Sequence, residues 1–426
     1  MKPLELIGRI VISPHWILIC ALAIAGDAAA TDWPQWRGPT RDGHAAGESW
    51  PNSLDTDHLT LAWRVELAPS YSGPIVVGAS VFTTETRDEE MEVVSAYDRH
   101  TGYKLWELDW PGAMSVPFFA AANGSGIRAT PASDGQSLFV AGMRDVLVAV
   151  DMASGTQIWR VDMMDEFNTP LPEFGFASSP MVDDDAVYVQ AGGGFVKLDK
   201  RSGDVIWRTA TDGGGMSVSA FSSPLLATIA GQPLALVQTR LALKGIDPTS
   251  GTELWSQPIE AFRGMNVLTP TLYNEAVFTS AHSGRSQLWQ LAIASGEKPT
   301  PDGLKEMWSN KSQAYMSSPV VVGDHLYLHL RNQRIQCIDL KTGQEQWRTK
   351  PFGKYQSMVA LGDKILALDQ RGELLLFSAD PAEFNHIDAR KISEQETWAH
   401  VAVCGGQVFV RELNALAVFD WRVPLD

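Results

Sequence analysis

Cysteine, clustered basic residues and long apolar segments are all scarce in this sequence. Only three of its 426 residues are cysteine, and no two of them are adjacent. Lysine and arginine form no run, and the net charge is −16. This composition argues against a nucleic-acid partner, because a duplex binder must neutralise phosphates with clustered cations. Beyond residue 25 no second apolar segment is long enough to span a bilayer, so we expect no transmembrane span after the first residues.

The first 30 residues have the pattern of a secretory signal peptide. Lys2 and Arg9 give a positive start, residues 10–25 are mostly apolar, and Ala28–Ala30 supplies small residues for cleavage. The apolar run of about 16 residues is short for a bilayer, which needs roughly 20, although a retained anchor stays open as an alternative. We therefore expect a mature chain that begins near Thr31 and is exported, to the periplasm or outside the cell.

One unit recurs along the rest of the chain, and its second half reads Asp-x-x-[Ser/Thr]-Gly-x-x-x-Trp. The aspartate can accept backbone N–H bonds at a turn, and the glycine can adopt positive φ there, so the motif predicts a tight turn. The tryptophan is a large apolar plate that can pack between neighbouring sheets. We predict this structural role for Trp63, Trp106, Trp159, Trp207, Trp255, Trp308 and Trp347.

The first half of the unit is a short strand, a tight turn and a second strand. Alternating apolar residues flank most of the turns, and the mean spacing of about 47 residues is enough for four strands. The turn dipeptides are Gly78-Ala79, Asp134-Gly135, Asp184-Asp185, Gly231-Gln232, Asn274-Glu275, Gly323-Asp324, Gly362-Asp363 and Gly405-Gly406. The pattern predicts an all-β, eight-bladed β-propeller of four-stranded antiparallel blades.

The last unit, Val401–Trp421, is one strand short. A matching strand occurs near the start of the chain, where Leu61–Val65 resembles Gln157–Val161 of a complete unit. We expect this N-terminal strand to complete the last blade and close the ring, which removes exposed sheet edges. The predicted organisation is a signal peptide (1–30), an N-terminal extension (31–57) and a single propeller domain (58–426).

The repeat resembles that of the pyrroloquinoline-quinone (PQQ)-type β-propellers. The resemblance covers residues 32–426, and the opening Asp32–Gly38 is similar to the start of many exported bacterial PQQ-like repeat proteins. This superfamily includes both quinoprotein alcohol dehydrogenases and BamB-type proteins of outer-membrane assembly. The resemblance therefore specifies the fold and leaves the function between an enzyme and a scaffold.

For a quinoprotein dehydrogenase, the resemblance implies PQQ, a calcium ion, an aspartate base and a pair of adjacent cysteines. This chain has no such pair, and it lacks the long insertions that usually carry those active sites. We therefore assign no catalytic residue and no metal ligand and predict no cofactor, while a PQQ- and calcium-dependent oxidoreductase stays open as the alternative. For a BamB-type protein, the resemblance implies a non-catalytic scaffold that binds partners through the loops of one face.

The residues that precede the inner strand of each unit are unusually rich in aromatic side chains. They should ring one mouth of the channel, and apolar walls with a few polar groups are typical of ligand pockets. The candidate binding residues are Tyr71, Arg128, Phe176, Phe221, Asn266, Tyr315, Met316, Tyr355, Trp398 and His400. Their ligand would be an envelope protein or polymer, or a glycan. Alternatively, these side chains pack against neighbouring loops or against the segment that contains Trp33 and Trp36.

Overall fold

The computed structural model describes residues 32–118, 124–211, 220–291 and 303–422. Within these residues the chain forms eight four-stranded antiparallel sheets, and the first strands of neighbouring sheets contact one another. This arrangement is a β-propeller, so the predicted fold class and number of blades are confirmed. The predicted signal peptide (1–30) and the cleavage site near Thr31 lie outside the described residues.

In blades 1 to 7 the four strands follow the chain from the axis to the rim, and we name them A to D in that order. They are Ile75–Val77, Ser80–Arg87, Met91–Asp98 and Lys104–Pro111 (blade 1); Ala132–Ser133, Ser137–Gly142, Val146–Asp151 and Gln157–Asp162 (blade 2); Met181–Val182, Ala186–Ala191, Gly194–Asp199 and Val205–Thr209 (blade 3); Leu225–Ile229, Gln232–Gln238, Ala242–Ile246 and Glu253–Pro258 (blade 4); Thr271–Tyr273, Ala276–Ser280, Ser286–Leu291 and Leu304–Asn310 (blade 5); Val320–Val322, His325–His329, Ile335–Asp339 and Glu345–Arg348 (blade 6); Gln356–Leu361, Lys364–Asp369, Glu373–Ser378 and His386–Lys391 (blade 7).

Blade 8 combines strands from both parts of the chain. Its strands A to C are Ala402–Cys404, Gln407–Glu412 and Ala415–Trp421, and its outer strand D is Leu59–Glu66. The outer pair runs from Leu59 opposite Trp421 to Glu66 opposite Ala415. The Nη2 atom of Arg64 on strand D lies 2.7 Å from Oε2 of the buried Glu412 on strand B.

The antiparallel order of the strands gives the propeller two distinct faces. Connections from strand D to the next strand A lie on one face, together with the B–C loops, and we call it the loop face. The A–B and C–D turns lie on the opposite face, the turn face. The loop face includes the helix Met163–Phe167, whose N-terminus is capped by the carboxylate of Asp162, and the 3-10 turn Phe262–Gly264. In the described part of the chain, no helix is long and apolar enough to cross a membrane.

The repeated motif joins each blade to the one that follows it. In blade 1, Oδ1 of Asp98 accepts the N–H of Thr101 at 2.8 Å, and Gly102 has φ +70°. A Cβ atom on Gly102 would lie 2.7 Å from the ring of Trp63 in blade 8. The Nε1 atom of Trp63 donates to the carbonyl of Arg99 in the same turn at 2.8 Å. The Trp63 plate thus packs on a glycine that belongs to the next blade.

The same contact recurs around the ring. The corresponding pairs of tryptophan and glycine are Trp106–Gly155, Trp159–Gly203, Trp207–Gly251 and Trp308–Gly343. For Trp255, most of the C–D connection of the next blade lies outside the described residues; within its own blade, a Cβ atom on Gly245 would lie 2.1 Å from its ring. The Nε1 atom of Trp347 donates to the carbonyl of Asp380 in blade 7 at 2.8 Å.

Hydroxyl groups near the start of strand A join neighbouring blades close to the axis. Each of them accepts a backbone N–H from the adjacent blade. The bonds are Gly73 N to Thr130 Oγ1 (3.1 Å), Thr130 N to Ser179 Oγ (3.0 Å), Ser179 N to Ser223 Oγ (2.9 Å) and Thr269 N to Ser318 Oγ (3.1 Å). The polar layer that surrounds the channel is therefore part of the bonding between blades.

Candidate functional site

The N-terminal segment 33–45, which we call the clasp, lies across the channel on the turn face. Trp33 exchanges two backbone hydrogen bonds with Val76 of blade 1, at 2.8 and 2.9 Å. At its other end, Ala360 of blade 7 donates to Gly43 and accepts from Ala45, both at 2.8 Å. The clasp thus pairs with the free edges of two inner strands and covers part of this mouth.

Trp36 extends from the clasp into the channel. Its Nε1 atom donates to Oγ1 of Thr269 in blade 5 at 3.0 Å. Its ring lies 5.1 Å from the ring of His400 in blade 8, in an edge-on arrangement. Because blades 5 and 8 lie on different sides of the ring, the indole crosses the axis. Burial and, to a smaller extent, the nearby charge of Arg37 lower the pKa of His400 to about 3, so this imidazole is neutral.

Two buried arginines fasten the clasp to opposite parts of the ring. Arg41 donates to the carbonyls of Ser179 (3.1 Å) and Pro180 (2.8 Å) in blade 3. Arg37 donates to the carbonyl of Pro319 in blade 6. Burial lowers the pKa of Arg37 to about 10 and that of Arg41 to about 9, yet both guanidiniums keep their charge at neutral pH.

The described residues do not fit a quinone held over the channel with calcium. Trp36 already occupies the axis between His400 and Thr269. No group of three or more His, Cys, Asp or Glu side chains in the described ranges could hold a metal ion. Cys337 and Cys404 are buried in blades 6 and 8, so they cannot form an adjacent pair. We therefore derive no reaction step through PQQ.

On the loop face, six aromatic side chains form a continuous curve around the channel mouth, which we call the aromatic arc. The distances between consecutive ring centroids are 5.5 Å (Phe262–His282), 4.9 Å (His282–Tyr315), 5.6 Å (Tyr315–Tyr355), 4.3 Å (Tyr355–Trp398) and 5.4 Å (Trp398–Tyr71). The guanidinium of Arg128 extends the arc, because its Cζ atom lies 5.5 Å from the centroid of the Tyr71 ring. The arc therefore runs from the connection between blades 4 and 5 to the connection between blades 1 and 2.

Local contacts hold the rings of the arc in place while leaving several of them accessible. Tyr71, Tyr315 and Trp398 are partly exposed, whereas Tyr355 is buried between its neighbours. The Nε1 atom of Trp398 donates to Oε2 of Glu396 at 3.0 Å. Burial raises the pKa of all three tyrosines, so they remain neutral phenols. The arc is thus a preformed, uncharged aromatic surface.

Cationic side chains lie against several rings of the arc. Nζ of Lys354 lies 5.0 Å from the centroid of Tyr355, and Cζ of Arg263 lies 5.2 Å from that of Phe262. Together with Arg128, these side chains give the arc a basic edge in a chain whose net charge is −16.

The structure brings together five of the residues predicted from the sequence, namely Tyr71, Arg128, Tyr315, Tyr355 and Trp398. The others lie elsewhere. Phe176 is buried in the core between blades 2 and 3, Phe221 packs against Phe174 at 5.6 Å, and Met316 is partly exposed beside Tyr315. Asn266 is buried and donates to the carbonyls of Thr239 and Arg240, and His400 lies deeper in the channel under the clasp tryptophans.

Two members of the arc, Phe262 and His282, are missing from the sequence-based prediction. They lie in the 3-10 turn after blade 4 and in the B–C loop of blade 5, away from the positions aligned on strand A. Both residues could have been predicted, because antiparallel strands place the B–C loops and the D–A connections of every blade on the same face.

Comparison with known proteins assigns this architecture to a family. A family model described as "Outer membrane protein assembly factor BamB" matches residues 90–349, more than half of the chain. The chain therefore belongs to this family of PQQ-like, BamB-type β-propellers.

Curated relatives carry the same description at low sequence identity. The outer membrane protein assembly factor BamB of Yersinia pestis is 23% identical over 268 residues, which are 59% of this chain and 63% of that protein. The corresponding protein of Shewanella oneidensis is 22% identical over 331 residues, 70% of this chain and 77% of that protein. This chain therefore spans less than two thirds of the Yersinia pestis protein.

Solved structures share the fold. BamB from Moraxella catarrhalis superposes with a TM-score of 0.61 at 14% identity, covering 85% of this chain and 99% of that one. The quinohemoprotein alcohol dehydrogenase ADHIIG from Pseudomonas putida gives a TM-score of 0.53 at 11% identity, covering 93% and 81%. At these identities the likeness concerns architecture alone.

Proposed function

We propose that this chain is an exported, non-catalytic binding propeller of the cell envelope that docks a partner protein on its aromatic arc. The signal-like segment 1–30 supports export, and the predicted single propeller domain 58–426 supports a chain that folds as one unit. The curated relatives are named as outer membrane protein assembly factors, which supports a partner in that process. The evidence for a protein partner comes from the aromatic arc.

The observation that carries the proposal is the position of Trp398 within the arc. Its ring contacts Tyr71 on one side and Tyr355 on the other, and it is itself partly exposed. Tryptophan, tyrosine and arginine are the residue types that dominate the energy of protein interfaces. Because neighbouring rings already fix its orientation, Trp398 would lose little conformational entropy when a partner binds.

The position of the arc also favours a macromolecular partner. It follows the rim of the mouth through the connections of five successive blades, from Phe262 to Tyr71. A small ligand would contact only part of such a curve, whereas a folded partner or an extended segment can cover it. The basic edge formed by Arg128, Lys354 and Arg263 would complement acidic residues of that partner.

Photo-crosslinking in the native host tests this proposal. A photoreactive p-benzoyl-phenylalanine is placed at Tyr71 in the full chain, and the adducts are identified by mass spectrometry. Tyr103 is the matched control, because it is a tyrosine with 73% exposure in the C–D turn of blade 1, on the opposite face. We expect a discrete protein adduct from position 71 that Trp398→Ala abolishes, and none from position 103.

Two results would contradict the proposal. Equal crosslinking from both faces would show that the arc is not the docking surface. An adduct with a glycan polymer would show that the partner is a glycan and not a protein. Quenching of tryptophan fluorescence by oligosaccharides would then identify the sugar.

A further inference from the structure

A cavity of about 630 Å³ opens on the turn face, opposite to the aromatic arc. It lies between the clasp and the inner strands of blades 3 to 6, in the part of the mouth that the clasp leaves open. Its apolar walls come from Met181, Leu225, Leu226, Leu272 and Val321. The volume is within the range of small-molecule sites, which are about 300–1,000 Å³.

Two arginine residues line this cavity and are almost completely buried. Arg37 and Arg41 are 1% and 2% exposed. Among the described residues, neither lies within ion-pair distance of a carboxylate. The acid that also lines the cavity, Asp42, accepts bonds from Thr40 Oγ1 at 2.7 Å and from the backbone N–H of His44 at 2.9 Å. The lining therefore carries one more positive charge than negative charge, in a chain whose net charge is −16.

The hydrogen bonds of the two arginines leave donors unused. A guanidinium has five N–H donors. Arg41 uses Nη1 for Gln35 Oε1 and the Pro180 carbonyl, and Nη2 for the Ser179 carbonyl. Within the described part of the chain, Nε of Arg41 has no acceptor, and neither has Nε of Arg37. Backbone carbonyls thus orient both groups without neutralising them.

The arginines and the polar residues of the A–B turn line the cavity at different depths. Arg41 binds the carbonyl of Pro180 and Arg37 binds that of Pro319, and both carbonyls belong to residues at the start of inner strands, so the two guanidiniums extend from the turn face into the channel. The side chains of Tyr273 and Asn274 lie at the A–B turn of blade 5 and line the outer part. A charge buried without a counter-ion is costly, and an anion at this depth would offset that cost.

We propose that the cavity binds a small organic anion, with its carboxylate toward Arg37 and Arg41 and its apolar body along the wall formed by Leu225, Leu226 and Leu272. This site does not depend on the proposed docking function, because it lies on the other face and shares no residue with the arc. The two tests therefore fail or succeed separately.

Calorimetric titration of the full-length mature chain with octanoate tests whether the cavity recognises both the carboxylate and the apolar chain of a ligand. Acetate has the same charge without the apolar chain, and 1-octanol has the same chain without the charge. We expect saturable binding of octanoate at one site and at least about tenfold weaker binding of the other two, since each lacks one half of the recognition. Equal binding of 1-octanol, equal binding of acetate, or no binding of octanoate would overturn the proposal.

Two variants locate the site. Arg41→Gln removes a cation and should weaken octanoate binding by roughly tenfold, the loss expected for a charge-assisted hydrogen bond. Leu226→Glu leaves both arginines in place and puts a negative charge into the wall, so it should also weaken binding even if Arg41→Gln loosens the clasp. Lys104→Gln, in an exposed ion pair of blade 1, is the control and should bind as the parent does. Unchanged binding in Leu226→Glu would overturn the proposal.

Discussion

The Nε1 atom of Trp36 donates a hydrogen bond to the hydroxyl of Thr269 across the channel of the propeller. The bond joins the N-terminal extension to blade 5, while the same indole packs edge-on against His400 of blade 8. The hydroxyl that accepts this bond belongs to a residue whose own N–H is bonded to Ser318 of blade 6. The extension therefore contributes to the packing around the channel and also leads to strand D of blade 8.

Removal of the Trp36 ring is expected to destabilise the whole propeller. Trp36→Ala should lower the free energy of unfolding by about 2–4 kcal/mol, because a large, partly buried ring is replaced by a cavity. Thr269→Val removes only the acceptor and should cost about 1 kcal/mol. Urea unfolding followed by circular dichroism measures both. A loss in Trp36→Ala no larger than in Thr269→Val would show that the ring contributes nothing by packing.

Two glycines of blade 1 separate the effect of backbone conformation from that of the tryptophan plate. Gly78 and Gly102 have φ of +56° and +70°, but a Cβ atom would meet nothing at Gly78 and the Trp63 ring at 2.7 Å at Gly102. Gly78→Ala should therefore cost about 1 kcal/mol, from the left-handed conformation alone. Gly102→Ala should cost about 1–3 kcal/mol more, from overpacking. Similar melting temperatures for the two variants would contradict the role of the plate.

The neutral imidazole of His400 predicts a specific loss of stability in acid. Its pKa is about 3 in the folded state and about 6.5 when it is exposed. Between these values the unfolded chain binds the extra proton, so this contribution is complete above pH 6.5 and is lost as the pH falls towards 3. His400→Gln removes the titration, and its stability should decline less steeply than that of the parent between pH 6.5 and 4. Parallel pH profiles of unfolding would show that His400 does not titrate in this window.

The aromatic arc should tolerate truncation of its exposed ring without loss of folding. Trp398→Ala should weaken partner binding by at least about thirtyfold, the effect of a central hot-spot residue, while the melting temperature changes by only a few degrees. Tyr103→Ala, on the turn face, serves as the control for loss of an exposed aromatic side chain. Binding and melting are measured on the same preparations. Unfolding of Trp398→Ala would indicate that the ring is structural.

Titration with PQQ in the presence and absence of calcium should give no saturable heat. The indole of Trp36 crosses the axis, and the described residues provide no cluster of carboxylates for the ion. Calcium-dependent tight binding would restore the oxidoreductase alternative and would require Trp36 to move.

The number of blades could be predicted from the sequence because its signals are local. Each A–B turn has its own dipeptide, such as Asp134-Gly135 or Gly405-Gly406, and five of the seven plates follow a glycine by four residues. The same alignment placed Tyr71, Tyr355 and Trp398 at one mouth, where their rings are in contact. Spacing was sufficient here, because equivalent positions of successive blades must lie at equal depth.

The clasp could not be predicted in the same way. Residues 33–45 have no period, and the charges of Arg37 and Arg41 favour exposure by every composition rule. Their burial depends on carbonyls of Pro180 and Pro319, which are brought to the axis only when the ring is closed. The cavity beside them is likewise a product of closure, since blades 3 to 6 and the clasp each supply a part of its lining.

The pairing of Leu59–Glu66 with Ala415–Trp421 also sets the order of events in biogenesis. In a chain threaded across a membrane from its N-terminus, the first strand emerges well before its partner and must wait with an unpaired edge. Such an edge is a template for aggregation. On the export route proposed above, blade 8 is therefore completed only after the last repeat has crossed the membrane.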